Sequence, residues 1–406
     1  MKKLNSKNFL PGLIILLLNS SVFITDTTSQ WVLVGNGLAN TTFYSLAANS
    51  NTIFGGGGIS SSVVYKSTNH GTNWTASLNL SVSFYSLAAN GNNIFAGSDG
   101  LGVYYSSNNG TSWTQTTLNN LAVNALIVNG NRIFAGTTTN GVYITNDNGA
   151  NWTQTSLNNR TVLELTAKGD TIYAGTSIYG VYLSTDNGST WSQTSLNNFY
   201  IHSLAVNGNN LFAGTSGSGI WRSTNNGTNW IQVGLNNQSV HSLAFYGDTV
   251  FAGSYTTGVY LSYDNGVTWT PRNEGINTGL NIRAFCILDN YIFTIPQSRI
   301  YRRPLSELTA TETVSNEIPK QFSLSQNYPN PFNPVTSIEF SLPERDFVSL
   351  KMYDATGREI EVLVKSELNP GTYRAKWNAA NYSSGIYFYK ISAGSFTETK
   401  RMILIK

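Results

Sequence analysis

Apolar residues along positions 31–305 fall in short alternating runs, each closed by a cluster of Gly, Asn, Asp, Ser or Thr. Runs rich in β-branched and aromatic residues and bounded by turn formers predict strands rather than helices. The pattern also repeats. Six boxes read STNHGTNW (67–74), SSNNGTSW (106–113), TNDNGANW (145–152), STDNGSTW (184–191), STNNGTNW (223–230) and SYDNGVTW (262–269). Their tryptophans, Trp74, Trp113, Trp152, Trp191, Trp230 and Trp269, stand 39 residues apart. Two further segments recur seven times each: an IFAG-like run at Ile53, Ile94, Ile133, Ile172, Leu211, Val250 and Ile292, and a GVY-like run about ten residues later. The chain therefore holds seven units, not six.

Each unit predicts four strands. In the fifth they are HSLAVN, NLFAGT, GIWRST and NWIQVG; a GNN turn joins the first pair and the Asn-Asn-Gly of the box joins the last. Such turns supply the positive φ that tight hairpins need. Four-stranded units repeating at about 40 residues predict an all-β chain built as a seven-bladed β-propeller. The seventh unit stops after its third strand, near RIYRR (299–303), while WVLVGNGL (31–38) matches the strand after a box, NWIQVGLNN (229–237). The N-terminal strand is expected to complete the last blade and hide its open edge.

The flanks read differently. Residues 1–29 carry Lys2, Lys3 and Lys7 ahead of the apolar run FLPGLIILLL, the layout of an export signal peptide. The propeller is expected over 30–305. The polar stretch 306–321 reads as a linker. Over 322–406, alternating segments such as SIEFSL, VSLKMY, GIYFYKISA and KRMILIK predict a small β-sandwich.

Charge narrows the function classes. Residues 31–305 contain ten Lys/Arg and nine Asp/Glu with no basic stripe, which argues against nucleic-acid binding. The single cysteine, Cys286, sits in the apolar run AFCIL and reads as a buried thiol. No metal-ligand set and no cofactor motif stands out, and a monomer is expected.

The boxes resemble the Asp-box, or BNR, repeat S-x-D-x-G-x-x-W, found in sialidases, some other glycoside hydrolases, sortilin-like receptors and photosystem-assembly propellers. Only Asp147, Asp186 and Asp264 keep the acid, and Asn69, Asn108 and Asn225 replace it. An acid exchanged so freely reads as a turn device, its side chain capping amides of its own loop. The sialidase resemblance implies an arginine triad, a Tyr/Glu pair and an acid/base Asp. No such triad is assignable here; Asp99, Glu164 and Glu274 are the acids that the repeat leaves unexplained, with Glu164 and Asp99 the pair for a glycosidase reading.

The C-terminal segment resembles the type A sorting domain of the bacterial type IX secretion system. QNYPNPFNP, the YDATGRE turn, the run from Trp377 to SSGIY, and the ending KRMILIK carry the resemblance. It implies export and recognition by the type IX machinery through residues 322–406, with release or attachment at the outer surface.

One position near the start of each first strand varies where the rest of the repeat is tight: Tyr44, Tyr85, Asn124, Leu163, His202, His241 and Arg283. First strands surround a propeller's channel, so Tyr44, Tyr85, His202, His241 and Arg283 are candidate ligand contacts for a glycan, peptide or protein partner. Tyr179 and Tyr255, in the loops TSIYG and SYTTG, belong to the same face, as do Arg160, Phe199 and Tyr200. The sequence thus favours a secreted or surface, non-catalytic binding propeller, over a sialidase-like glycoside hydrolase or a purely structural, adhesive repeat protein.

Overall fold

A computed structural model describes residues 30–406 apart from 39–40, 59–61, 248, 264, 310–311, 316, 369 and 380–381. The expected signal peptide lies outside the described residues, as does Asp264. No helix among the described residues is long and apolar enough to cross a membrane.

Residues 31–305 form a seven-bladed propeller of four-stranded antiparallel sheets. Blade three is typical, with strands Val123–Asn129, Arg132–Thr137, Gly141–Thr145 and Thr153–Gln154 running from the channel outward. Second strands are buried on both faces; Phe54, Phe134, Phe212 and Phe251 have no exposed surface. Each blade lays its apolar side chains onto the next. Phe134 and Val142 of blade three, for instance, share one cluster with Val162, Leu165 and Ala174 of blade four. Burying a side chain such as Phe134 in this way stabilises the fold by about 1.5–3 kcal/mol, which is why a unit that is marginal alone becomes stable in a ring.

The ring closes with the N-terminal strand. Val32–Leu33 pairs with Tyr301–Pro304, so blade seven is ordered Val32–Leu33, Tyr301–Pro304, Tyr291–Pro296, Ile282–Leu288. Trp31 anchors it: the ring is 1 % exposed and its Nε1 donates to the Arg272 carbonyl at 2.7 Å. Glu274, one of the acids left unexplained by the repeat, belongs to this closure. Its carboxylate pairs at 2.8 Å with the buried Arg303, and its carbonyl accepts from the Trp31 amide.

The C-terminal sandwich packs two four-stranded sheets. One is ordered Glu312–Ser315, Gly371–Asn378, Val335–Leu342, Ser323–Leu324, and the other Glu359–Leu368, Asp346–Tyr353, Gly385–Ala393, Phe396–Leu404. Trp377, Tyr389, Phe340 and Leu350 lie buried between them. The stretch 306–321, read as a linker, carries two short regular elements. The helix Ser306–Thr309 sets Leu308 into the cluster that holds Trp31 and Phe251, and Glu312–Ser315 is an edge strand of the sandwich. A short edge strand pairs through its backbone and needs little apolar side chain, so composition alone reads it as linker.

Candidate functional site

The variable position of each first strand has a local cause. All seven first strands carry a register shift there: between Phe43 and Ser45, Phe84 and Ser86, Val123 and Ala125, Val162 and Glu164, Ile201 and Ser203, Val240 and Ser242, and Ile282 and Phe285. These are β-bulges. A bulge leaves one residue unpaired and re-aims its side chain. The unpaired residue is Tyr44, Tyr85, Asn124, Leu163, His202, His241 or, with Ala284, Arg283. The same end of the propeller carries the loops after second strands, because each such loop donates an amide to the residue two before a bulge: Asp99 to the Ser83 carbonyl, Ser216 to Tyr200, and Tyr255 to Ser239.

Seven aromatic and basic side chains of this end, five of them bulge residues, form an arc across blades two, one, seven, six and five. Tyr85 and Tyr44 meet edge to face at 5.4 Å between ring centroids. The Arg283 guanidinium lies over the Tyr44 ring at 5.1 Å. His241 and His202 pack at 4.1 Å between ring centroids, tilted by 37°, and His202 in turn packs on Tyr200 at 4.6 Å. Tyr255 packs on His241 at 4.9 Å between ring centroids. Tyr179 stands apart, under Arg160 at 4.0 Å. Asn124 is bound within the wall, donating to the Val162 carbonyl at 3.0 Å.

The electrostatics are those of a site with one fixed cation. Burial and then the neighbouring imidazole pull His202 down to about 4; burial and then Arg283 pull His241 down to about 4. Both rings are neutral at pH 7. Tyr85 is pushed up to about 12 by burial and by its hydrogen bond to Asp99, 3.0 Å away. Among the described residues, no hydrogen bond forms to the side chains of Tyr44, Tyr200, His202, His241, Tyr255 or Arg283.

The acids behave separately. Asp99 accepts the Tyr85 hydroxyl on blade two. Glu164, the residue after the bulge on blade four, stands where other units have Ser or Ala. Burial pushes it up to about 8, and it accepts a hydrogen bond from the Leu165 amide at 3.2 Å. Among the described residues no group of three or more His, Cys, Asp or Glu is placed to hold a metal ion. Burial likewise pushes Cys286 up to about 12, so its thiol stays protonated.

The boxes lie in the third-to-fourth-strand hairpins, and their polar groups are used within the turn. Asp147 accepts from Thr145 Oγ1 at 2.6 Å and the Asn151 amide at 2.9 Å, and those bonds hold it at about 2. Asp186 accepts the Thr190 amide and the Ser184 hydroxyl and is likewise held at about 2. Asn69, Asn108 and Asn225 accept the corresponding amide at 2.9 Å each. The amide oxygen does what the carboxylate does, which accounts for the exchange of Asp and Asn. Trp74, Trp191, Trp230 and Trp269 donate to the glycine carbonyl of their own box; Trp113 and Trp152 reach Ser77 and Thr116 of the preceding blade. The residue before each box glycine also has positive φ, from 53° to 57°, which explains why Asn fills it in five boxes. In the first box it is His70, whose Nε2 meets Asp289 of blade seven at 2.7 Å across the closure.

Comparison with known proteins agrees with this architecture. Residues 326–406 match the secretion system C-terminal sorting domain, and residues 38–164 match the DUF6242 beta propeller domain. The sorting domain directs the protein to the bacterial cell surface. Similar solved structures include YCF48 bound to D1 peptide, at 16% identity and TM-score 0.56, covering 68% of this chain and 96% of that one. YCF48 from Cyanidioschyzon merolae gives 12% identity and TM-score 0.55, over 68% and 98%. The computationally designed Ika8 protein gives 11% and 0.52, over 68% and 99%. At these identities the likeness is one of fold. Among curated proteins, none matches the sequence. The chain is a β-propeller followed by a secretion-system sorting domain.

Proposed function

We propose that the propeller is a non-catalytic binding module whose ligand sits at the channel mouth, on the arc from Tyr85 to Tyr200, and that the sorting domain carries it to the cell surface through the type IX machinery. One observation carries the reading. Tyr85, Tyr44, Arg283, His241, His202, Tyr200 and Tyr255 gather at one end of the channel, five of them on bulges that free the side chain from the ladder, and the buried Nε of Arg283 has no hydrogen-bond partner among the described residues. Their concentration at one end of the channel is the arrangement of a site prepared for a polar ligand. YCF48, a propeller of similar fold, has been solved with a bound peptide, which supports the use of such a scaffold for binding.

The glycosidase alternative requires two carboxylates converging on one bond. Asp99 is engaged by Tyr85, Glu274 by Arg303, and Glu164 lies on blade four, its shift caused by burial and the Leu165 amide rather than by a second acid among the described residues. The test is a glycan and peptide array combined with a hydrolysis assay on the full chain. Saturable binding without turnover is the expected result. Turnover that Glu164→Gln abolishes would overturn the reading.

A further inference from the structure

Asparagine is chemically labile, and most so ahead of glycine. The glycine amide nitrogen, once it loses its proton, attacks the carbonyl carbon of the asparagine side chain. The bond to the side-chain nitrogen breaks, ammonia leaves, and water opens the resulting cyclic imide to aspartate or isoaspartate. Glycine favours the step because it has no side chain to obstruct the approach. The chain holds ten Asn-Gly pairs, and five of them belong to boxes, at Asn109, Asn148, Asn187, Asn226 and Asn265.

Two groups must be free for the reaction, the glycine N–H and the asparagine side chain. In the boxes the first is held. The amides of Gly110, Gly149, Gly188, Gly227 and Gly266 each donate to the hydroxyl of the Ser or Thr that opens the box, at 2.7–3.1 Å and out of contact with solvent. The Gly141 amide donates to the Arg160 carbonyl at 2.9 Å, which covers Asn140. Three of the other pairs have the side chain tied instead. Asn36 donates to Asn73 at 2.6 Å, and Asn129 and Asn207 donate to the Gly169 and Gly247 carbonyls of the next blade at 2.7 and 2.8 Å. Asn90 has neither restraint. It ends the first strand of blade two, Phe84–Asn90, away from the channel mouth, and it is exposed together with Gly91 in the two-residue hairpin that returns at Asn93. Among the described residues, no hydrogen bond is made by the Asn90 side chain or by the Gly91 amide.

We propose that Asn90-Gly91 is a self-modification site, and that the Ser or Thr opening each box has a task beyond shaping the turn: its hydroxyl holds the glycine N–H and so keeps the box asparagine from cyclising. Water is the only co-reactant, and nothing is oxidised or reduced. Asn49 of blade one donates to the Gly91 carbonyl at 2.9 Å. The new negative charge and, in isoaspartate, the added backbone carbon therefore fall on the seam between blades one and two.

The test ages the full chain in a mildly alkaline buffer and follows every Asn-Gly pair by peptide mapping with mass spectrometry, beside a sample unfolded in guanidinium chloride. In the folded chain Asn90 converts about tenfold or more faster than any box asparagine, since freeing a held amide first breaks a hydrogen bond. In the unfolded sample the ten pairs convert at similar rates. Ser106→Ala frees the Gly110 amide and raises conversion at Asn109 alone, whereas Ser106→Thr, which supplies the hydroxyl as Thr145 does in the third box, leaves Asn109 shielded. The ranking in the parent chain does not depend on any variant folding. An Asn90 that stays intact, box asparagines that convert as fast as Asn90, or a preference for Asn90 that persists in guanidinium overturns the site. Conversion at Asn109 unmoved by Ser106→Ala, or raised equally at every box, overturns the shielding role of the hydroxyl.

Discussion

Single residues in the channel wall set the molecule's pH response, and they do so in opposite directions. His202 and His241 fall from a model-peptide value near 6.5 to about 4 in the folded chain. The unfolded chain therefore takes up protons first; their contribution to stability is complete above pH 6.5 and drains away as pH falls toward 4. Glu164 is raised from 4.5 to about 8, so the folded chain keeps a proton that the unfolded chain has released. Its contribution is complete below pH 4.5 and is lost as pH rises through 8. Melting curves of two variants separate these effects: the double variant His202→Gln, His241→Gln flattens the fall between pH 6.5 and 4, while Glu164→Gln matches the parent at pH 4 and melts several degrees higher at pH 8.5. A parent-like profile for either variant would refute the corresponding environment. Steric demand is as local as charge. At Gly141, φ is +70°, and an added Cβ would run into the Leu157 carbonyl oxygen. Gly141→Ala is expected to cost about 2 kcal/mol or more, measured by urea unfolding. The variable residues Tyr44, Tyr85, His202, His241 and Arg283 were visible in the sequence because the repeat is otherwise tight, but their mutual contacts were not. Ring packing depends on how far each side chain reaches across the blade boundary, which spacing along the chain does not encode.

Strands carry the next layer of the account. The bulge common to all seven first strands was not legible, since an unpaired residue looks like any other until its partner strand is in register. The closing strand was legible, because Val32–Leu33 continues a repeat broken at the other end of the chain. Its two-residue ladder is short, and Trp31 supplies the anchor. Removing residues 30–38 exposes the Tyr301–Pro304 edge and the cavity left by the indole. The truncated chain is expected to melt lower and to self-associate on size-exclusion chromatography; a monomer of unchanged melting temperature would contradict the closure. Trp31→Ala alone is expected to cost about 3–5 kcal/mol. The strand Glu312–Ser315 shows the reverse limit of sequence reading. It looked like linker because an edge strand can be polar on both faces, and only pairing with Gly371–Asn378 reveals it.

At the scale of the whole molecule, the propeller and the sorting sandwich divide the labour. The sandwich is read from motifs and addresses the protein to the cell surface; the propeller is read from its 39-residue period and presents a channel mouth. Both folds were legible because repetition and strand alternation report backbone architecture directly. The ligand was not, because it is chosen by a few side-chain tips on near-identical blades. The measurement that bears most directly on the central claim is saturation binding, on the full chain, of whichever ligand the glycan and peptide arrays select, repeated with Tyr44→Ala and Tyr255→Ala and accompanied by a turnover assay. Loss of binding in both variants with no product formed is the predicted result. Binding unchanged in both, or product formation by the parent chain, would contradict a non-catalytic site at the channel mouth.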